Sequence, residues 1–133
     1  MRNVSFGEAI KLGFQNYVNF KGRAQRAEYW WWILFVIVTS IALVVVDIAV
    51  FGAEEADPTP LSNAFSLATF IPGLSVGVRR LHDIGKSGWW ILIGLIPLIG
   101  FIVLIVWFVR DSDRGTNRFG LSPKYGSEMA MFD

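Results

Sequence analysis

The chain has 133 residues, of which 53% are hydrophobic and only 17% charged, with a net charge of +1 and no cysteine. Soluble proteins average about 45–50% apolar and 25% charged, and here the apolar residues gather into runs, so a soluble class is excluded in favour of a membrane one. The length admits one domain, and the lack of cysteine excludes a disulfide frame, a thiol nucleophile and a cysteine metal site. The first 28 residues carry five bases and no apolar core ahead of a cleavage site, so insertion should use internal spans.

Residues 5–20 have helical spacing. Phe6, Ile10, Phe14, Tyr17 and Val18 share one face, and Glu8, Lys11, Gln15 and Asn19 fall away from it. Ser5 with Glu8 three residues on predicts an N-terminal cap. The segment is too polar to span. It predicts an amphipathic helix, either lying in the membrane interface or docked on the protein's own bundle.

Lys21, Arg23 and Arg26 then precede four consecutive aromatics, Tyr29 to Trp32, an order that suits anionic headgroups followed by the interfacial aromatic belt. Arg26 and Glu28 are two residues apart, so they point to different sides of a helix and at least one should face protein. The first span is expected over 30–51, long enough to cross a core of about 30 Å. Its one charge, Asp47, lies a turn from the far end, which favours an interfacial or bundle-paired carboxylate over a transport role.

Residues 52–60 hold three acids, no base and two prolines, and read as a turn. The second span is expected over 61–78. Ser62, Ser66, Thr69, Gly73 and Gly77 form a small-residue stripe suited to close helix packing or an oligomer seam. Pro72 should kink the span. The third apolar run covers 89–109, interrupted by Gly94, Pro97 and Gly100, and a polar tail fills 110–133.

Basic residues number five before the first span, none in the first loop, three in the second and four in the tail. Positive residues stay inside, which puts the N-terminus and the 79–88 loop in the cytoplasm and the acidic loop outside. Three full spans would then strand four bases outside. A hairpin broken at Pro97 would return the tail, but a 21-residue run fits the bilayer so well that a kinked third span is the preferred expectation.

The chemistry concentrates in residues 79–88, expected as a loop with Arg79, Arg80, His82 and Lys86 against one acid, Asp83. Guanidinium forks match phosphate oxygens, so this stretch could hold an anionic headgroup, or simply stop transfer and form internal ion pairs. His82 beside Asp83 invites a catalytic reading, but no nucleophile motif accompanies it and catalysis is disfavoured. One histidine without cysteine makes no metal site, no cofactor motif is present, and bases spread over three segments do not make a nucleic-acid surface.

Three stretches, Gly22–Trp30, Arg79–Trp90 and Gly115–Pro123, together resemble the bacterial membrane family called domain of unknown function 805. The resemblance runs from about Ser5 to Pro123. It implies a multi-pass protein of the bacterial inner (plasma) membrane and implies no reaction. The acidic turn 52–60 has no counterpart in it. It also sharpens one expectation: if the tail is cytoplasmic, Arg23, Arg26, Glu28, Arg79, Arg80, His82, Asp83, Lys86, Asn117 and Arg118 could meet in one polar cluster.

The expected architecture is an all-α membrane protein in a single domain 1–133. It is a bundle of three hydrophobic helical segments, the third kinked or re-entrant at Pro97, preceded by an amphipathic interfacial helix. The expected partners are the bilayer, an anionic phospholipid and a second copy of the chain. The expected role is non-enzymatic recognition of a lipid or partner through the basic loop, with a small transporter or channel subunit built on the second span as the alternative.

Overall fold

The computed structural model describes residues 3–52 and 59–125, so most of the acidic turn and the last residues of the tail lie outside it. Among the described residues the elements are helical and no strand forms. Helix α1 spans Phe6–Gln15, α2 Arg26–Phe51, α3 Pro60–Asp83 and α4 Ile99–Val109, and a 3₁₀ helix, Gly88–Leu95, precedes α4.

Ser5 caps α1 as expected, its side chain accepting from Glu8 N. The helix is docked on the bundle. Its contact line is not the aromatic face but the small residues Ala9 and Gly13, both buried. A Cβ on Gly13 would stand 2.3 Å from Trp32 Cζ3, so the missing side chain is what lets α1 approach α2. Phe6 and Phe14 flank that contact, packing edge-on against Trp31 and Trp32, while much of their surface stays open. Aromatics seated at the edge of a docked helix can serve both the bundle and the membrane interface.

Helix α2, with 26 residues, and α3, with 24, are long and apolar enough to cross a membrane. Ile37, Val38, Ile41 and Val45 stay exposed along α2, an apolar band that water would not tolerate and lipid would. At the far end, α2 supplies the cap for α3. Asp47, fully buried, accepts from Leu61 N at 3.0 Å and Ser62 N at 2.9 Å. A carboxylate there satisfies orphan N–H groups and meets the positive end of the helix dipole, with Pro60 in the first turn where no donor is needed. Asp47 is thus the bundle-paired carboxylate expected.

Helix α3 runs past the expected end at 78 and takes in Arg79 to Asp83, so half of the expected loop is helix. These polar residues are buried against protein and need no aqueous loop. The helix stops where Gly85, at φ 77, turns the chain: Gly85 N donates to His82 O and Lys86 N to Leu81 O, satisfying the last carbonyls. Pro72, within α3, cannot donate to Ala68 O, and the Tyr17 hydroxyl donates to it instead. Of the small-residue stripe, Ser62 lies under Asp47, Gly73 under Trp32 and Gly77 under Ile91, while Thr69 bonds back to Phe65 O and Ser66 is exposed. Ser62, Thr69, Gly73 and Gly77 thus make contacts within the chain.

The preferred kinked third span is not what forms. Residues 88–109 make a hairpin. Trp90 meets Trp107 at 5.8 Å, a Cβ on Gly94 would touch Leu104 Cδ1 at 3.0 Å, and Gly100 abuts the Ile93 carbonyl. The reversal is a tight turn in which Ile99 N donates to Pro97 O at 2.7 Å and Leu98 adopts φ 68 and ψ −64. This is the rare, strained γ-turn. Each arm is about 16 Å long, about half of a 30 Å hydrocarbon core. Both ends of the hairpin therefore emerge at the end of the bundle where α2 begins and α3 ends.

Candidate functional site

The linker before α2, the end of α3 and the tail converge at that end. The centre is Arg23, whose side chain is 1% exposed. Its Nε donates to Asp83 Oδ1 at 3.0 Å. Its Nη1 donates to the carbonyls of Gly115 and Gly120, and its Nη2 to those of Asp83 and Asp113. Five N–H groups meet five acceptors, the whole capacity of a guanidinium. Ala24 N donates to Arg79 O, so the linker is held by backbone as well.

Asp83 is fully buried and serves two arginines. Its Oδ2 accepts from Arg80 Nη1 at 2.9 Å and from the Ser112 hydroxyl. Arg80 continues to the carbonyls of Phe108 and Arg110. Trp30 Nε1 also donates to Phe108 O, and Arg26 Nη1 to Val109 O. Cations and donors gathered on the last carbonyls of α4 complement the negative end of that helix. They also fix where the hairpin returns. Two guanidiniums share one carboxylate here, and backbone carbonyls of Asp83, Phe108 and the tail supply the remaining acceptors.

A second pair lies alongside. Arg79 Nη1 donates to Glu28 at 2.7 Å, both side chains about 4–5% exposed. Arg79 Nε and Nη2 have no hydrogen-bond partner among the described residues. Glu28 faces protein and Arg26 faces outward, the division expected from their spacing.

His82 is held on three sides. Its Nδ1 lies 2.9 Å from Gly22 O, its ring stacks on Phe119 at 3.9 Å with 4° between planes, and its carbonyl accepts from Asn117 Nδ2. Asn117 and Gly120 exchange backbone bonds in the turn that presents Phe119.

Of the ten residues expected to meet, Arg23, Arg80, His82, Asp83 and Asn117 belong to one connected network, with the Glu28–Arg79 pair beside it. Arg26, Lys86 and Arg118 stay at the rim. Arg26 lies 4.0 Å from Asp111, Lys86 over the Trp107 ring and Arg118 over Phe119. Sequence reasoning missed Gln25, Asp111, Ser112 and Phe119. Gln25 is 1% exposed and ties the N-terminus to the tail, accepting from Val4 N and donating to Pro123 O. Asp111 binds Lys124 at 2.8 Å and the Tyr125 hydroxyl. Burial opposes charge on Asp111, but the bonds from Lys124, Tyr125 and Ser112 N outweigh it and bring its pKa down to about 2. Gln25 sat inside one of the quoted stretches, and its position between two arginines was the available signal.

Among the described residues no group of histidine, cysteine and carboxylate side chains could hold a metal ion. The arrangement is a polar lock at one end of an apolar helical bundle, which defines an all-α membrane protein whose ends are fastened together by buried arginine. The chain belongs to the family of proteins of unknown function 805, whose model matches residues 17–121. It is 42% identical over 115 residues to the inner membrane protein YhaI of Escherichia coli K12, covering 85% of this chain and 92% of that one. It is 39% identical over 110 residues to the inner membrane protein YhaH of the same strain, covering 83% and 91%. No solved structure matches.

Proposed function

We propose that this chain is a non-catalytic protein of the bacterial inner membrane that holds an anionic phospholipid at the rim of its polar end. The observation that carries this is a groove of about 560 Å³ that joins charge to grease. Arg26 and Lys124 line it together with Trp30, Trp31 and Leu34. Asp111 is shared by the two cations, so the groove keeps one net positive charge. Cationic side chains beside aromatic ones suit a phosphate headgroup with its acyl chain running along the helix. The buried guanidiniums of Arg23 and Arg80 are not available to it, because their donors are engaged within the protein.

In this reading the N-terminal segment, the 84–87 turn and the tail all face the cytoplasm. Described bases cluster at that end of the bundle, and the sequence between α2 and α3 carries the acids Glu54, Glu55 and Asp57 and no base. Thr116→Cys in this cysteine-free chain should resist a membrane-impermeant thiol reagent until cells are lysed, with Ala53→Cys labelled in intact cells. Labelling of Thr116→Cys in intact cells would reverse the orientation.

The lipid itself is tested by native mass spectrometry of protein reconstituted with phosphatidylglycerol and phosphatidylcholine in equal amounts. Phosphatidylglycerol should be retained preferentially, and Arg26→Gln should lower that preference about fivefold. Equal retention of the two lipids, or no change with Arg26→Gln and Lys124→Gln combined, would overturn the reading.

A further inference from the structure

A second cavity, of about 540 Å³, lies between α3 and the 3₁₀ helix. Its walls are apolar, made by Phe20, Leu74, Val78, Ile91 and Leu92, and at one end stand His82 and Ser87. Neither polar group belongs to the groove of Arg26 and Lys124.

The chemistry of that end follows from what fixes the imidazole. A carbonyl oxygen can only accept, so at 2.9 Å from Gly22 O the Nδ1 of His82 carries the proton. In the neutral ring Nε2 is then a lone-pair acceptor. Stacking on Phe119 fixes the ring plane, and the Asn117 bond to the His82 carbonyl fixes the backbone behind it. Nε2 is directed at the cavity wall formed by Gly88, where an added Cβ would lie 3.4 Å from it and 2.6 Å from Val78 Cγ1. Glycine is required at 88 by the Val78 side chain, and its missing Cβ leaves Nε2 uncrowded on that side. His82 is 8% exposed and lines the cavity. Ser87 Oγ accepts from Trp89 N, which leaves its O–H free to donate.

A buried acceptor and a free donor at one end of an apolar chamber are the complement of a hydroxyl group, which donates once and accepts once. Neither nearby cation lines the cavity: Lys86 lies over Trp107 and Arg118 over Phe119, on the far side of the ring stacked on His82. A phosphate would find little compensating charge there and would be penalised by desolvation. We infer that the α3–3₁₀ cavity is a binding site for an uncharged, hydroxyl-bearing lipid, its hydroxyl between His82 Nε2 and Ser87 and its hydrocarbon chain against Leu74, Val78 and Leu92. The volume is in the range of ordinary small-molecule sites.

The test uses the whole protein in nanodiscs and a long-chain alcohol carrying a photoreactive diazirine, compared with its methyl ether, which cannot donate. The alcohol should crosslink to residues 74–78 and 89–92 at least about tenfold more than the ether. Leu92→Trp fills the chamber without touching the polar network and should abolish the crosslink. His82→Phe keeps the stack on Phe119 and should bring the alcohol down to the level of the ether. Equal labelling by alcohol and ether, labelling spread along the exposed face of α2, or a crosslink that survives Leu92→Trp would each overturn the assignment. Because Arg26 is untouched, these outcomes are independent of the phosphatidylglycerol experiment.

Discussion

The hydroxyl of Tyr17 donates to the carbonyl of Ala68, the group that Pro72 leaves without its helical partner. The carbonyl freed by a proline inside a membrane helix is thereby satisfied by a residue just beyond the end of α1. Ser75 reinforces the junction, its hydroxyl 2.7 Å from Asn16 O and 3.0 Å from Asn19 O. The amphipathic segment is therefore part of the bundle's hydrogen bonding as well as of its packing.

Removing the Tyr17 hydroxyl should expose this dependence. Tyr17→Phe leaves Ala68 O unpaired and should cost about 1–2 kcal/mol. In a Pro72→Ala background the helix can supply its own donor, and the same change should cost close to nothing. Chemical unfolding of the four proteins in mild detergent closes the cycle. Equal costs in both backgrounds would show that the hydroxyl acts through packing alone.

Arg23→Lys tests the lock. Lysine keeps the charge beside Asp83 but cannot span five acceptors, so tail carbonyls lose their donors. The expected loss is about 3 kcal/mol, with faster proteolysis of the tail while the apolar helices stay protected.

The hairpin depends on one missing methyl group. A Cβ at Gly100 would stand 1.7 Å from the Ile93 carbonyl oxygen, a backbone atom that cannot step aside. Gly100→Ala should cost more than about 2 kcal/mol in thermal unfolding. Gly7→Ala is the matched control, with nothing within 4 Å of the new group, and should be neutral or mildly stabilising. Leu98→Gly should raise stability by about 1 kcal/mol by relieving the left-handed turn residue.

The tail should carry an acid-sensitive step. Asp111 has its pKa lowered from 3.8 to about 2 in the folded protein. A depressed carboxylate contributes stability that is full above its unfolded pKa and is lost as pH falls through the folded one. The loss should therefore run from about pH 4 down to about pH 2. Asp111→Asn should flatten the stability profile in that window and nowhere else, read by thermal unfolding at a series of pH values.

Much of the fold was legible because lipid imposes long apolar runs, and those runs are α2, α3 and the hairpin. The Ser5 cap and the placing of Arg26 and Glu28 on different sides of a helix rest on local spacing and came through, although spacing did not say which of the two faces protein. What sequence ranked wrongly was the third run, where a kinked single span was preferred to the hairpin that forms. Its length matched one crossing, and the decision for two half-crossings lies in contacts such as Gly100 against Ile93, which no one-dimensional hydropathy pattern encodes. The basic stretch misled in a related way. Charge suggested an aqueous loop, whereas Arg80 and Asp83 are buried helical residues whose partners lie far away in the chain, at Ser112 and Arg110. The candidate residues stand out by the placing of charge and by the three stretches that carry the family resemblance; their division into an internal lock and an exposed rim is set by tertiary structure.

The acceptors of Arg23 have a consequence for how the protein comes into being. Three of the five, on Asp113, Gly115 and Gly120, lie 90 to 97 residues later in the chain. Helices α1, α2 and α3 can associate while translation is still under way, but the guanidinium between them is then only partly satisfied. Closure of the polar end waits for residues 113–120 to be made, and a nascent chain halted before them would sit in the bilayer with a buried cation still searching for carbonyls.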